Sequence, residues 1–269
     1  MFLGGGRITG ILIAGLRLAN YGKRIVVHDR HLRKLQQLKR AYRVQVETDL
    51  SRAVDRAGLL IVAVRPESIP VLLENIGQLR RPVTAVSLAA GVPLADLRAK
   101  LGSSVRWARA MPSPICRFGC GLTALAFAPE FSSSAKREVT RLFARVGSVL
   151  NIPEGKFDAF TVTYSSSHGY HALATLARAA EKLGLDRQTA LTASAHALAD
   201  GITAFEEGNF SIDELLAEAT TPGGIAAAVV LAMNAAGYRR AIARGLRAGV
   251  ARARKNTHIL GRSKIRQLP

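Results

Sequence analysis

The stretch Leu3-Gly4-Gly5-Gly6-Arg7-Ile8-Thr9, set between a short apolar strand and an apolar helix, decides the fold of this chain. Glycines at the first and third positions of such a turn let the backbone bend sharply and approach a pyrophosphate closely. The N–H groups that open the helix then donate to the anion. The residues that we predict to bind the phosphates of a dinucleotide are Gly4, Gly6, Arg7 and Ile8.

A second predicted strand ends at Asp29-Arg30, about the distance along the chain at which a dinucleotide fold meets a ribose. Asp29 could accept a hydrogen bond from a ribose 2′-hydroxyl, which would favour NAD(H). Arg30, with Arg33 and Lys34 close by, could instead hold a 2′-phosphate, which would favour NADP(H). Three cations against one anion favour NADP(H), and NAD(H) remains the alternative.

Short β-branched runs alternate with amphipathic stretches in the first half of the chain, as in a parallel sheet wrapped by helices. The apolar run Leu59 to Val64 indicates a strand buried on both faces. We therefore predict an α/β fold with a Rossmann-type, mostly parallel sheet over residues 1–153. The other predicted strands are Met1 to Leu3, Arg24 to His28, Val44 to Val46, Val83 to Leu88, Val105 to Ala110 and Leu122 to Ala126. The predicted helices are Ile8 to Asn20, His31 to Ala41, Leu50 to Ala57, Pro93 to Leu101 and Ser132 to Arg145.

The pattern changes after about residue 155, where strand-like runs give way to long Ala- and Leu-rich helices. Residues 154–255 are predicted to form an all-helical domain, and residues 256–269 a flexible basic tail. Because the segment Gly223 to Ala236 is apolar nearly all round, it must be covered on several sides. We therefore expect a homodimer or higher homo-oligomer formed through these helices. The other predicted helices are Asp158 to Ser165, Tyr170 to Leu183, Arg187 to Glu207, Ser211 to Ala219 and Tyr238 to Lys255.

The composition narrows the class of protein. The 269 residues carry a net charge of +19, but the arginines are scattered and no aromatic-interleaved basic motif occurs, so nucleic acid is not expected as the main partner. The two cysteines, Cys116 and Cys120, provide neither a disulfide framework nor a complete metal site. The longest apolar run, Ile225 to Met233, is too short for a membrane span, and no secretory signal opens the chain, so we expect a cytoplasmic protein.

Several segments, taken in order, resemble the pyrroline-5-carboxylate reductase family. They are FLGGGRIT from residue 2, LLIVAVRP from residue 59, VSLAAGVPLADL from residue 86, RAMPSPICRFGCGLTAL from residue 109, EKLGLDRQTAL from residue 181 and ATTPGGIA from residue 219. The resemblance implies an oxidoreductase of proline biosynthesis. It would reduce the C=N bond of 1-pyrroline-5-carboxylate, a cyclic imine carboxylate, to L-proline with NADP(H).

The resemblance also implies residue roles. Val64, Arg65 and Pro66 would line the nicotinamide ribose, and Met111 and Pro112 would approach the cofactor from a neighbouring strand. The residues implied to bind the substrate are Ser166, Thr221, Gly223, Gly224, Ile225 and Ala226.

This sequence departs from the family at the substrate end. Ala226 stands where the family places a threonine hydroxyl beside the imine, and in the segment Tyr164 to Tyr170 two of the family's glycines are lost and a histidine, His168, is introduced. We hypothesise that His168, with His171 or Tyr170, supplies the missing proton; the alternative is that His168 and His171 only cap or decorate a helix start. The departures also leave two other functions open, a reductase of another cyclic imine and a non-catalytic nucleotide-binding descendant.

Overall fold

The computed structural model describes residues 1–79 and 81–257, which fall into two compact units. The first unit contains Met1–Thr163 and the end of the last helix from Gly249, and the second contains Tyr164–Ala248. The sequence placed the boundary earlier, at residue 153. The difference arises because Phe157 is completely buried against Ala124 and Ala126, and this contact keeps the following short helix in the first unit.

A single sheet organises the first unit. Eight strands of the described chain pair in the order β3-β2-β1-β4-β5-β6-β7-β8. The first six in this order are parallel to one another, β7 is antiparallel to β6, and β8 is parallel to β7. The strands are β1 (Phe2–Leu3), β2 (Val26–His28), β3 (Gln45–Glu47), β4 (Leu59–Val62), β5 (Val83–Ser87), β6 (Val105–Pro112), β7 (Gly121–Phe127) and β8 (Gly147–Asn151). The predicted α/β class with a mostly parallel sheet is confirmed.

Seven helices of the described chain belong wholly to this unit, and side chains cap two of them. Asp49 accepts a hydrogen bond from the Arg52 N–H at the start of α3, and Ser132 accepts one from Ala135 at the start of α6. The helices are α1 (Arg7–Leu18), α2 (Leu32–Tyr42), α3 (Leu50–Asp55), α4 (Ile69–Ile76), α5 (Leu94–Leu101), α6 (Ser133–Ala144) and α7 (Phe157–Thr163).

The core lies on both faces of the sheet. One cluster joins α1, α2 and α6 to the sheet through buried residues such as Ile13, Leu35 and Phe143. The other lies beneath α3, α4 and α5 and contains Leu73 and Trp107. Burial on both faces explains why the central strands are apolar along their whole length.

The second unit is helical throughout its described residues, as the sequence predicted. Its helices are α8 (Ser166–Lys182), α9 (Arg187–Glu207), α10 (Ile212–Ala219) and α11 (Ile225–Ala235), followed by α12 (Tyr238–Thr257), which ends in the first unit. A capping box between Ser211 and Glu214 opens α10.

The end of α12 is anchored to the first unit. The Asn256 side chain donates to the carbonyl oxygen of Ala90 at 3.1 Å and accepts from Arg252 at 2.7 Å. Gly91 is required beside it, since a Cβ there would lie 2.2 Å from the carbonyl oxygen of Ala253. The helix therefore extends to Thr257, into the segment predicted as a tail from residue 256. Residues 258–269 lie outside the described residues.

Candidate active site

The glycine turn follows β1 at the carboxyl edge of the sheet. Gly4 has a φ of +106°, and a Cβ at this position would lie 2.6 Å from the carbonyl oxygen of Ala63. Its N–H donates to the carbonyl oxygen of His28 at 2.7 Å. Around Gly6, by contrast, nothing lies within 4 Å of the position that a Cβ would take. Gly4 thus packs the turn against β4, and Gly6 leaves a backbone face open to a ligand.

Helix α1 opens at this turn without a capping side chain. Gly6 makes no side-chain cap hydrogen bond, and no acidic residue occupies the first turn. Arg7 is exposed, whereas Thr9 is buried and its hydroxyl donates to the carbonyl oxygen of Gly4 at 2.6 Å. A helix start with a positive dipole, an exposed cation and no carboxylate is suited to a phosphate group.

Asp29 is buried and fastens the glycine turn to the start of α2. Its Oδ2 accepts from the Gly5 N–H at 2.7 Å, and its Oδ1 accepts from the His31 N–H at 2.8 Å. The His31 ring nitrogen Nδ1 lies 2.9 Å from Oδ1, and the Lys34 amine lies 3.7 Å from Oδ2. Both carboxylate oxygens are therefore engaged within the protein, a structural role that sequence reasoning missed when it considered Asp29 as a ribose ligand.

The surroundings of Asp29 favour its charged form. Burial opposes ionisation, but the hydrogen bonds from Gly5 and His31 and the nearby Lys34 outweigh it, so the pKa of Asp29 is lowered. Arg30 and Arg33, close to this carboxylate in the sequence, are exposed. The start of α2 thus presents cations outward while its one carboxylate is turned inward.

The other predicted cofactor residues lie at the ends of β4 and β6. Val64 lies close to the glycine turn, 3.1 Å from the position of a Cβ on Gly4. Arg65 is 85% exposed, and Pro66 opens a short 3₁₀ turn. On β6, Met111 is partly buried and Pro112 is buried. Because β1, β4 and β6 belong to the parallel part of the sheet, all these residues lie along the same edge as the glycine turn.

A buried arginine on β6 pairs with two partly exposed carboxylates in an ion cluster that the sequence did not reveal. The Arg109 side chain on β6 is 3% exposed, and it binds Asp158 at 2.9 Å and Glu154 at 3.5 Å. Its guanidinium stacks over the ring of Phe157, 4.3 Å from the centroid. Glu154 also accepts the Leu94 N–H at 2.5 Å, so the cluster joins β6, α5 and the start of α7. An arginine that stacks and pairs in this way has no local sequence signature.

The remaining predicted residues lie in the second unit. Ser165 caps α8 by accepting from the Ser167 N–H at 3.4 Å, so Ser166 is the first helical residue. His168 and Tyr170 both lie in the first turns of this helix and are exposed.

The loop before α11 forms a second uncapped helix start. Gly223 has a φ of +78°, and the Gly224 N–H donates to the carbonyl oxygen of Thr221 at 3.0 Å. Gly224 makes no side-chain cap hydrogen bond, and no acidic residue lies in the first turn of α11. Ile225 and Ala226 are exposed. The geometry suits an anion such as a carboxylate, and Ala226 adds no polar group to it.

No group of three or more His, Cys, Asp or Glu side chains in residues 1–79 and 81–257 could hold a metal ion. Within the same residues, no helix is both long enough and apolar enough to span a membrane.

The glycine turn and the uncapped start of α1 can together bind a pyrophosphate. This sheet edge therefore has the features of a dinucleotide-binding oxidoreductase. Comparison with known proteins agrees. Residues 1–91 match the family model described as NADP oxidoreductase, coenzyme F420-dependent. Residues 154–256 match the model described as pyrroline-5-carboxylate reductase dimerisation.

Comparisons over nearly the whole chain are more specific. The chain is 30% identical over 253 residues to the pyrroline-5-carboxylate reductase of Corynebacterium melassecola, covering 91% of this chain and 94% of the relative. The pyrroline-5-carboxylate reductase structure from Coxiella burnetii superposes with a TM-score of 0.84 at 25% identity, covering 95% of this chain and 97% of that one. The NADP-bound Plasmodium falciparum structure gives a TM-score of 0.84 at 19% identity, with coverages of 95% and 96%. This chain belongs to the pyrroline-5-carboxylate reductase family.

The role of Asp29 gives a stability prediction. Asp29→Asn leaves one backbone N–H facing an amide instead of a carboxylate oxygen, which should cost about 1–3 kcal/mol of the free energy of unfolding at pH 7. Because the folded-state pKa of Asp29 is lowered, its stabilisation is complete above the unfolded pKa of about 3.9 and disappears as pH falls through the folded value. The difference in the free energy of unfolding between wild type and Asp29→Asn should therefore become smaller below about pH 4.

Urea unfolding followed by the fluorescence of Trp107, the single tryptophan, measures this difference. Asp55→Asn, an exposed carboxylate on α3, is the matched control. Equal losses for the two variants at pH 7 would contradict the role of Asp29.

Proposed function

We propose that this chain reduces the C=N bond of 1-pyrroline-5-carboxylate to L-proline with NADPH. The observation that carries the proposal is the open backbone face of Gly6 at the uncapped start of α1, found in a chain that belongs to this family along nearly its whole length. The named relatives are pyrroline-5-carboxylate reductases, and the Plasmodium falciparum structure was determined with NADP bound.

The charges at the start of α2 favour NADPH over NADH. Arg30 and Arg33 are exposed and can pair with a 2′-phosphate. Asp29 would repel that phosphate if its carboxylate faced outward, but both of its oxygens are held by Gly5 and His31. The carboxylate is thus held against the glycine turn and the start of α2, and the cations remain available to a 2′-phosphate.

The proposed substrate site, like the proposed coenzyme site, uses the N–H groups of an uncapped helix start to bind an anion. The uncapped start of α11, at Gly223 and Gly224, would hold the substrate carboxylate through backbone N–H groups, with Ser166 and Thr221 as further polar contacts. When bound, the reduced nicotinamide supplies the hydride that the imine carbon takes. The imine nitrogen must also take a proton, and Ala226 has none to give.

His168 is the proposed proton donor. It lies exposed in the first turn of α8, where a protonated imidazole could transfer its proton to the imine nitrogen of a bound substrate. Tyr170, which is 68% exposed, is proposed to assist by hydrogen bonding. The missing hydroxyl at Ala226 also favours a second candidate function, reduction of a cyclic imine that differs from 1-pyrroline-5-carboxylate.

An activity assay tests the function and the coenzyme. Purified protein should oxidise NADPH when 1-pyrroline-5-carboxylate is added, with a lower KM for NADPH than for NADH. Arg30→Ala with Arg33→Ala should raise the KM for NADPH at least about tenfold, since two charge-assisted hydrogen bonds to phosphate are lost, and should leave the KM for NADH nearly unchanged. Gln36→Ala, an exposed change on the same helix, is the control.

Three results would contradict parts of this proposal. An equal rise in the KM for NADPH and for NADH in the Arg30/Arg33 variant would show that these arginines do not bind the 2′-phosphate. Turnover only with other cyclic imines would establish the second candidate. Saturable coenzyme binding without turnover of any imine would show a non-catalytic descendant.

The proton donor is tested by a pair of substitutions. His168→Ala should lower kcat with 1-pyrroline-5-carboxylate by a factor of about 100, the usual contribution of a positioned acid. Ala226→Thr should restore much of the loss in the His168→Ala background, because it returns a hydroxyl to the loop. His196→Ala, an exposed histidine on α9, is the control. Unchanged turnover in His168→Ala would disprove the role of His168.

We also propose that two or more copies assemble through the helices of the second unit. Large apolar side chains are exposed along α9, α10 and α11, including Phe205 at 51%, Leu216 at 48% and Leu231 at 70%. Apolar surface of this extent is typical of a protein interface. The family model that matches this region is described as a dimerisation domain, which supports the proposal.

The assembly is tested by Leu231→Glu. A carboxylate on this face should lower the molar mass measured by light scattering after gel filtration to that of one chain, because burying an unpaired charge is costly. Leu18→Glu, on a residue of α1 that is 62% exposed, is the matched control and should leave the assembly unchanged. If Leu231→Glu keeps the wild-type mass, the interface lies elsewhere.

A further inference from the structure

The loop of residues 88–93, named here the β5 loop, joins the carboxyl end of β5 to the start of α5. The strand order β3-β2-β1-β4-β5-β6 is that of a dinucleotide fold, in which each half of the sheet binds one nucleotide. Arg30 and Arg33, the proposed ligands of the adenosine 2′-phosphate, follow β2 in the first half. The β5 loop therefore lies in the half of the sheet that would receive the nicotinamide nucleotide.

The first residues of the β5 loop are fixed by the sheet. The Leu88 N–H donates to the carbonyl oxygen of Val62, at the end of β4, at 2.9 Å. The Ala89 N–H donates to the hydroxyl of Ser87 at 3.3 Å, and both residues are buried. Ala90 follows and is partly exposed. The sheet thus holds the loop as far as Ala89, and Ala90 is held by another element.

The last turn of α12, which belongs to the first unit, holds the rest of the β5 loop. The Asn256 Nδ2 donates to the carbonyl oxygen of Ala90 at 3.1 Å, and its Oδ1 accepts from Arg252 at 2.7 Å. The bond from Arg252 orients the amide so that its N–H group faces Ala90. Gly91 has a φ of +71°, and a Cβ there would overlap the carbonyl oxygen of the buried Ala253. A side-chain hydrogen bond and a close backbone contact thus hold the same loop.

We propose that Asn256 is a positioning residue for the coenzyme, because it holds the β5 loop in the conformation that receives the nicotinamide nucleotide. This inference rests on the proposed function. Asn256 acts through Ala90 and does not touch the reacting atoms. A loop that is already ordered spares the coenzyme the entropic cost of ordering it on binding. Loss of the bond should therefore weaken coenzyme binding and leave the chemical step nearly unchanged once the coenzyme is bound.

Calorimetric titration of the purified protein with NADPH tests the proposal. Asn256→Ala should raise the Kd about fivefold, the usual effect of one lost neutral hydrogen bond. Asn256→Asp should raise it at least as much, because the carboxylate still accepts from Arg252 but has no N–H to donate to Ala90. In both variants the kcat at saturating NADPH should stay within about twofold of wild type. Asn75→Ala, an exposed asparagine on α4, is the matched control and should leave the Kd unchanged.

Hydrogen exchange separates positioning from a general loss of stability. Since a link between α12 and the bound coenzyme is reciprocal, NADPH should slow amide exchange in the peptide of residues 249–256. This slowing should occur in wild type and disappear in Asn256→Ala. A residue that only stabilises the fold would give no coenzyme-dependent change in α12. The wild-type measurement decides the question even if a variant folds poorly, and Trp107 fluorescence reports the folding of each variant.

A higher Kd in both Asn256 variants, together with loss of the coenzyme-dependent slowing in Asn256→Ala, supports the inference. An unchanged Kd in both variants, a similar rise in Asn75→Ala, or no slowing at residues 249–256 of wild type would overturn it and leave the proposed function intact. A fall in kcat at saturating NADPH with an unchanged Kd would also overturn it. Absence of saturable NADPH binding by wild type would overturn the proposed function and this role of Asn256 together.

Discussion

The hydrogen bond from the Gly5 N–H to the buried Asp29 carboxylate, 2.7 Å long, is the interaction on which the coenzyme edge depends. Bonds to a charged acceptor contribute about 1.5–3 kcal/mol, more than neutral ones. This bond holds the glycine turn after β1 against the turn after β2, and the same carboxylate holds His31 at the start of α2. The open face of Gly6 and the outward cations of α2 are therefore placed by one side chain.

Local sequence signals predicted the regular parts of the fold well. The bounds of α9 agree with the predicted Arg187 to Glu207, because Asp186 caps one end and a glycine follows the other. Two elements were missed. The strand β8 has only two apolar residues and three exposed positions, as an edge strand can, and α4 is a helix of only eight residues. Their formation depends on neighbours in the sheet, so the local pattern does not reveal them.

In the candidate site too, the sequence predicted the features of the local backbone and missed contacts between distant parts of the chain. The glycine turn was predictable because its requirements, a positive φ at Gly4 and space at Gly6, are properties of the local backbone. The hydrogen bond between Asp29 and Gly5 and the ion pairs of Arg109 were not, since they join residues that lie 24 or more positions apart along the chain. His168, Ala226 and the rest of the substrate end stay predictions, because exposed side chains at helix starts leave no packing signature of their role.

The outward cations at the start of α2 also bear on how fast reactants arrive. A coenzyme bearing phosphates and a substrate bearing a carboxylate are both anions, and the chain that receives them has a net charge of +19. Long-range attraction of this kind accelerates diffusional encounter and orients the approaching molecule before contact. Dissolved salt screens the attraction over about 8–10 Å at physiological ionic strength, so the association rate, more than the tightness of the final complex, would reflect the ionic composition of the surroundings.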